Sequence, residues 1–374
     1  MKNILLFIMV SMILIFVYCE QHPQMPLKKD REVSATIVAI DTSGSIFPED
    51  SSRLTPVKGA IVELNSKDYN QKFRFETDSA GKVEIQNVLA ATYEVNIWLE
   101  LTRNLTLKGD MLLSLYDYNA EADTVMLHPE TPAPIVIHEI YYCGPVNNIF
   151  FFFDQYIELY NRDTATVYLD GMIIARIRSS TEILPYIDSL DYVQTVYAYQ
   201  FPGLPGGTQY PVEPGSFVVI ASDAFDHTQS LPNAVDLSQA DFEFYNEYKN
   251  DWDNLNVPNL VSLNPSRGTD FLISLASDGV VLADGTSWEL VTVTTSSGEN
   301  EYVNLPISTI VDGVEYKSGV TTNKYLTYRI DSGFAGIGVT KYSGKSVQRV
   351  VPWQDTNNST VDFRVLNAPT PGGP

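Results

Sequence analysis

Residues Pro134–Met172, PIVIHEIYYCGPVNNIFFFFDQYIELYNRDTATVYLDGM, decide the fold class of this chain. The stretch contains three runs rich in β-branched and aromatic residues, Ile135–Tyr142, Gln155–Asn161 and Ala165–Met172. Asparagine, aspartate, glycine and proline separate these runs, which is typical of short antiparallel strands joined by turns. Because no helical repeat of apolar residues competes with this pattern, the stretch predicts an all-β protein.

The length and composition predict two globular domains without nucleic-acid partners. The 374 residues exceed the usual size of one domain, and 44% of them are apolar, which is enough for packed cores. Two cysteines are too few for a disulfide scaffold. The formal net charge of −22 repels phosphate backbones and anionic lipid surfaces, and solubility explains it more simply than an acidic binding face does.

The first residues are typical of a secretion signal. The almost continuous apolar run Ile4–Val17 is short for a membrane span and suits a signal peptide. Cys19 follows closely, and this arrangement resembles a bacterial lipoprotein signal. That resemblance implies a signal peptide over residues 1–18, a lipid on Cys19, and a lipid-anchored tether over residues 19–31. Tyr18 departs from the small residue usual before such a cysteine, so a simple secretory signal or an uncleaved anchor stays an alternative.

Residues 32–130 show strand patterns in close succession and predict a first β-sandwich. Alternation is clearest where Phe73 and Phe75 flank Arg74, which is the pattern of a half-buried strand. Gly81 supplies the positive φ that the turn between two of these runs needs. The strands are expected at Val33–Ile40, Gly59–Leu64, Lys72–Glu76, Lys82–Ile85, Thr92–Trp98, Ser114–Tyr118 and Thr124–Leu127.

This first domain resembles a transthyretin-like, carboxypeptidase-regulatory-like module. The resemblance rests on Gly59-Ala60-Ile61-Val62, on the turn Thr77–Gly81 and on the approach Asn87–Tyr93. It implies a spacer or accessory module to which no catalytic residue belongs. Residues 131–134, Thr-Pro-Ala-Pro, follow as a stiff linker because paired prolines disfavour both helix and sheet.

The second domain, residues 135–371, resembles a lamin-tail-like β-sandwich. The matching motifs are Ile137-His138-Glu139-Ile140, Gln155–Asn161, Val167–Gly171, Tyr210–Ala221, Ser346–Arg349, Asp355–Asn358, Asp362-Phe363 and Pro369–Gly372. Lamin-tail domains are about half this size. The resemblance therefore implies that the sandwich carries two long loop insertions, over Ile173–Gln209 and Phe225–Lys324.

The predicted segments are, in order, a lipoprotein signal, a transthyretin-like module and an enlarged lamin-tail-like domain. This order resembles that of a group of Gram-negative surface lipoproteins of unknown function. Genes of that group often accompany TonB-dependent outer-membrane receptors. The resemblance implies attachment to the outer membrane through the N-terminal lipid, with the cell surface expected and the periplasmic face as the alternative. It also implies an outer-membrane receptor as a partner.

Residues 236–259 combine acidic and aromatic side chains more densely than any other part of the chain. One interpretation is a binding loop whose contact residues are Phe242, Phe244, Tyr245, Tyr248 and Trp252. A second is a calcium site at Asp251, Asp253 and Asn254, which place oxygen ligands close together but lack the glycine and distal glutamate of an EF-hand. The third is a structural loop that covers a sheet edge with its aromatic residues packed inward.

The apolar run Ile149–Phe153 also has two interpretations. A buried strand is the simpler one. An exposed aromatic tip that docks on a partner is the other.

No pattern typical of an enzyme active site is present in the sequence. The four histidines match no zinc spacing, and neither a Gly-x-Ser-x-Gly elbow nor a P-loop is found. A structural role fits His138 better than a catalytic one. We therefore expect no catalytic residues and no cofactor.

Three functions stay open. The first is a non-enzymatic cell-envelope lipoprotein that binds a ligand or a protein partner. The second is an adhesive or structural envelope protein. The third is a hydrolase that uses carboxylates, because a catalytic pair is set in space and leaves no fixed spacing in the sequence.

Overall fold

The computed structural model describes residues 32–47, 53–66, 69, 71–102, 105–116, 123–130, 132–146, 151–295, 298–319 and 323–373. The expected signal peptide (residues 1–18) and the tether (residues 19–31, with Cys19) lie outside the described residues, as does Thr131 of the linker. Within the described ranges, no helix combines the length and the apolar character that a membrane crossing requires.

The chain divides into two compact units, and both are built from strands. The division falls between Glu130 and Thr131. Helical structure in the described residues is limited to the 3-10 turns Leu184–Tyr186, His227–Gln229 and Ile307–Thr309 and the α-helical turn Ser359–Asp362 (α1). This architecture confirms the predicted all-β fold with two sandwich-like domains in tandem.

The first unit is a curled sheet of eight strands. These are β1 (Glu32–Asp41), β2 (Thr55–Pro56), β3 (Ile61–Ser66), β4 (Lys72–Glu76), β5 (Lys82–Leu89), β6 (Ala91–Thr102), β7 (Leu105–Leu115) and β8 (Asp123–Glu130). Their order is β2-β1-β8-β7-β6-β3-β4, and β5 also pairs with β1. β1 and β8 run parallel, whereas the other pairs are antiparallel.

The turn before β5 forms as the sequence predicts. Gly81 has a φ of +69°, and a Cβ there would lie 2.5 Å from the carbonyl oxygen of Ala39. Asp78 accepts hydrogen bonds from the backbone N–H groups of Ala80 and Lys82, at 2.8 and 2.9 Å. Glycine is therefore needed both for the left-handed backbone and for the close approach to β1.

One strand of the first unit lies elsewhere than expected. The sequence predicted a strand at Ser114–Tyr118, but β7 runs through Leu105–Leu115. The residues Gly109 and Asp110 are typical of a turn, which conceals the strand in the sequence. A Cβ on Gly109 would lie 2.7 Å from the Leu127 side chain, so this position needs a residue without a side chain because β8 packs against it.

The second unit contains fifteen strands among the described residues. They are β9 (Ile135–Tyr141), β10 (Tyr156–Asn161), β11 (Val167–Tyr168), β12 (Ile173–Ile177), β13 (Tyr192–Gln200), β14 (Pro211–Val212), β15 (Phe217–Ala221), β16 (Phe242–Tyr245), β17 (Asn259–Ser262), β18 (Ser277–Ala283), β19 (Glu289–Thr295), β20 (Gly298–Pro306), β21 (Ile310–Lys317), β22 (Ser346–Arg349) and β23 (Phe363–Leu366). The main sheet has the order β21-β18-β12-β13-β17-β16-β15-β10-β9-β22-β23, and β20 joins β13 to β19. β11 and β14 form a separate pair.

The sequence predicted the two strands β9 and β10 almost to their ends. Every residue of both strands is buried, including Glu139 and Glu158, which lie opposite each other in the antiparallel pair. Burial on both faces explains why these runs are rich in β-branched and aromatic residues.

The main sheet curls so that β21, at one end of the order, contacts β9 near the other end. Asp312 of β21 accepts a hydrogen bond from the backbone N–H of Ile137, at 2.6 Å. Arg349 of β22 donates to Asp312 at 2.9 Å and to the carbonyl oxygen of Ile137 at 2.8 Å. One buried arginine therefore connects three strands of the second unit.

Three expectations for the second unit need correction. The run Ala165–Met172 is not one strand, because only Val167–Tyr168 pairs before the turn that leads into β12. Phe151–Phe153, the described part of the run 149–153, is half-buried and forms no strand. The two segments expected as insertions are not loops throughout, since they contribute β12 and β13 and the strands from β16 to β21.

Candidate functional site

Three neighbouring strands of the second unit run parallel and bring their following loops to one edge of the sheet. β15 pairs in parallel with β16, and β16 pairs in parallel with β17. Because the carboxyl ends of parallel strands lie at the same edge, the loops that follow them meet there. Asp223 follows β15, Asp251 follows β16, and Asp270 follows β17.

The three aspartates form a compact cluster, which we call the aspartate cluster. Carboxylate oxygens from Asp223, Asp251 and Asp270 all lie within 4.8 Å of one another. Asp223 is 6% exposed, and its Oδ1 has no hydrogen-bond partner among the described residues. None of the three carboxylates forms a salt bridge within the described part of the chain.

Burial and mutual repulsion disfavour the charged form of two of these carboxyl groups, Asp223 and Asp251. Burial raises the pKa of Asp223 to about 8, and the nearby charges of Asp270, Asp251 and Glu243 add to the rise. Burial also raises the pKa of Asp251 to about 7, with a further contribution from Asp270. The cluster therefore has an unfavourable concentration of negative charge, which either protons or a cation would relieve.

The loop between β16 and β17, residues 246–258, is held in place by polar side chains, and we call it the aromatic loop. Asp251 accepts hydrogen bonds from the backbone N–H groups of Asn246 and Trp252, both at 2.9 Å. Asn246 donates to the carbonyl oxygens of Pro265 at 3.0 Å and Gly268 at 2.6 Å. These bonds tie the start of the loop to the segment that contains Asp270.

The far half of the aromatic loop is tied to the segment after β15. The Asn254 side chain donates to the carbonyl oxygen of Ala224 at 2.6 Å. Glu243, which is buried, accepts hydrogen bonds from the backbone N–H groups of Ala224 at 2.6 Å and Asn254 at 2.8 Å. The loop is thus bonded to both neighbouring segments that supply the aspartate cluster.

The same loop presents large apolar side chains to solvent. Tyr248, Trp252 and Leu255 are 69%, 71% and 89% exposed. The Trp252 ring meets the half-buried Phe225 ring edge to face at 5.9 Å, which limits its orientations. Three exposed apolar residues on a well-bonded loop are typical of a recognition surface.

The structure separates the five aromatic residues that the sequence suggested as one binding set. Phe242 and Phe244 lie on β16 in the core, where Phe244 stacks on Phe271 with ring centroids 3.9 Å apart. They are therefore not available at the surface, and Tyr245 beside them is half-buried. Tyr248 and Trp252 alone among the five are exposed.

The suggested calcium ligands are also separated. Asp251 belongs to the aspartate cluster, whereas Asp253 accepts a hydrogen bond from the Asn259 side chain at 3.0 Å. Asn254 is used in bonds to the neighbouring backbone. The sequence did not predict Asp223 and Asp270 as partners of Asp251, because the three residues lie on three different loops. The parallel pairing of β15, β16 and β17 that brings these loops together leaves no local pattern in the sequence.

Part of the second unit is similar to a known protein family. Residues 213–370 match the family described as protein of unknown function (DUF4876). That region includes all three residues of the aspartate cluster and the whole aromatic loop. None of the curated proteins compared with the chain matches it.

One solved structure shows the same fold. The crystal structure of a DUF4876 family protein from Bacteroides thetaiotaomicron VPI-5482 is 22% identical, with a TM-score of 0.56 over 89% of this chain and 94% of that chain. At this identity the likeness shows the fold alone. The minor pilin GBS52 of Streptococcus agalactiae, 12% identical over 50% of this chain and 82% of that chain, has a TM-score of 0.19 and supports no argument.

Proposed function

We propose that the chain is a non-enzymatic binding protein of the cell envelope that captures a partner through the aromatic loop. The observation that supports this most directly is the exposure of Tyr248, Trp252 and Leu255 on a loop whose backbone donates hydrogen bonds to the Asp251 and Glu243 carboxylates. A fixed loop loses little conformational entropy on binding, and exposed aromatic residues supply most of the energy of many interfaces.

The rest of the proposal concerns location and partner. We propose that Cys19 is lipidated and attaches the chain to the outer membrane, with the first unit as a spacer between the lipid and the binding unit. An outer-membrane receptor of the TonB-dependent class is the partner that the lipoprotein resemblance implies. The strongly negative chain, with a net charge of −22, argues against nucleic acid as the target.

We predict that Trp252→Ala weakens capture of this partner by at least about 30-fold, because an anchor residue at the centre of an interface contributes about 2 kcal/mol or more. The measurement is affinity purification from detergent-solubilised outer membranes of the source organism, with quantitative mass spectrometry of the retained proteins. Tyr248→Ala should act in the same direction.

The matched control is Tyr186→Ala, since Tyr186 is also an exposed aromatic residue, at 60%, but lies outside the aromatic loop. Trp252→Ala and the control Tyr186→Ala should each change the free energy of unfolding by no more than about 0.5 kcal/mol, because each removes an exposed side chain. Equal recovery of the receptor by wild type and the Trp252→Ala variant would contradict the proposal.

A further inference from the structure

We propose that Asp223, Asp251 and Asp270 form a calcium site that fastens the aromatic loop to the edge of the sheet. The three residues come from the loops after β15, β16 and β17, so one bound ion would link three separate segments. The site does not depend on the proposed binding function.

The geometry suits a calcium ion. Oxygens that bind one Ca²⁺ at about 2.3–2.6 Å lie no more than about 5 Å apart, and the three carboxylates already meet this limit within 4.8 Å. Three carboxylates can supply up to six oxygens, and water can complete the coordination. Since no side chain needs to travel, the site is close to preformed.

A second observation points to a ligand at this position. Asp223 is only 6% exposed, and its buried Oδ1 lacks a hydrogen-bond partner among the described residues, while its carboxylate places an oxygen within 4.8 Å of those of Asp251 and Asp270. Leaving a buried carboxylate oxygen unpaired destabilises the folded state, because the oxygen has lost its hydrogen bonds to water and has gained none in return, so proteins rarely keep one. A cation bound by this oxygen would remove that cost.

The donor set also selects the class of metal. All three ligands are hard oxygen donors, which favours Ca²⁺ over zinc or copper. The nearby imidazole of His227 is engaged elsewhere, because its Nε2 lies 3.0 Å from the carbonyl oxygen of Asp223. Magnesium retains several waters and prefers one or two carboxylates, so a three-carboxylate site favours calcium.

Binding of the ion would act on the aromatic loop through Asp251. This carboxylate already accepts the N–H groups of Asn246 and Trp252, so its other lone pairs can face the ion without breaking these bonds. Calcium would therefore fix the exposed Trp252 more firmly relative to the strand edge.

The test uses the full chain after treatment with EDTA and then CaCl₂ or MgCl₂ alone. Calcium at a hundredfold excess over its Kd should raise the Tm of the second unit by about 5–10 °C, and magnesium should raise it less. Isothermal titration calorimetry should show one calcium bound per chain.

Two variants and one control separate this site from its alternatives. Asp223→Asn and Asp270→Asn should each weaken calcium binding by about 100-fold or more, since affinity follows the number of ligand charges. Both should also raise the Tm in EDTA, because each removes one of three repelling carboxylates. Asp253→Asn, a neighbouring aspartate outside the cluster, should bind calcium as wild type does.

The proposal would be overturned if calcium neither raised the Tm nor bound in the calorimeter. In that case, protons shared among the three carboxyl groups would neutralise the aspartate cluster. Loss of calcium binding in Asp253→Asn together with normal calcium binding in Asp223→Asn would also overturn the proposal. That result would favour Asp251, Asp253 and Asn254 as the calcium ligands. Since none of these measurements uses a protein partner, failure of the proposed binding function would leave the result unchanged.

Discussion

Replacement of Arg349 by methionine is expected to lower the free energy of unfolding of the second unit by about 3–5 kcal/mol, the cost typical of removing one partner from a buried ion pair. The Arg349 side chain is 1% exposed and lies within 3.5 Å of carboxylate oxygens of Asp312, Asp355 and Asp362. Methionine has a similar length, so the loss would come mainly from the charge and its hydrogen bonds.

The carboxylates around Arg349 explain why the effect should be large. Burial raises the pKa of Asp312 to about 6 and that of Asp362 to about 7, although the arginine charge opposes both shifts. Without the guanidinium, these carboxyl groups would lose their nearest positive charge and the carbonyl oxygen of Ile137 would lose a donor. Buried acceptors without partners are among the few causes of losses above about 3 kcal/mol.

Urea denaturation followed by tryptophan fluorescence would measure this effect, because three of the four tryptophans, Trp252, Trp288 and Trp353, lie in the second unit. The control is Arg364→Met, since Arg364 is exposed and donates to the Gln348 side chain at 3.0 Å. That substitution should cost no more than about 1 kcal/mol. A similar small loss for Arg349→Met would show that the buried ion pairs add little to stability.

Arg349 also shows what the sequence could and could not predict. Ser346–Arg349 belongs to the motif that resembles the end of a lamin-tail-like domain, and β22 occupies those residues. Its main partner, Asp312, lies 37 positions earlier on β21, so the sequence alone gives no sign of the pair. Strand positions follow from local composition and alternation, whereas a buried ion pair depends on which strands the curled sheet brings together.

The candidate site illustrates the same limit more strongly. The mixture of acidic and aromatic residues in 236–259 predicted a loop throughout, whether for binding, for calcium or as cover for a sheet edge, and so it missed the strand Phe242–Tyr245. Tertiary pairing makes this short segment a central strand, with Glu243 buried because two backbone N–H groups donate to it. Only the parallel arrangement of β15, β16 and β17 then brings Asp223 and Asp270 to Asp251.

The second large effect that we expect is a loss of stability with rising pH that comes from Glu158. This residue is fully buried on β10, and burial raises its pKa to about 8 while the backbone N–H of Gly372 opposes the rise. His138 Nε2 lies 3.9 Å from Glu158 Oε1. Burial, together with the charges of Arg349 and Arg364, lowers the pKa of His138 to about 3. Between these two pKa values, both side chains are neutral in the folded protein.

The sign of the pH dependence follows from the raised pKa of Glu158. In the unfolded chain a glutamate has its ordinary pKa of 4.5, so between pH 4.5 and about 8 the folded state binds more protons than the unfolded state. The contribution of Glu158 to the free energy of unfolding is therefore fully present below pH 4.5, and it falls as the pH rises from 4.5 to about 8. The shift corresponds to a loss on the order of 5 kcal/mol by pH 9.

Comparison of wild type with Glu158→Gln isolates this contribution, because the amide imitates the protonated acid and the other buried acids cancel in the difference. We expect the variant to gain on the order of 5 kcal/mol relative to wild type between pH 4 and pH 9, measured by urea denaturation at each pH. Glu213→Gln, an exposed glutamate changed in the same way, is the control for the substitution itself. A flat difference for Glu158→Gln would mean that Glu158 is charged in the folded protein, paired with a protonated His138, and that burial does not decide the charge of this pair.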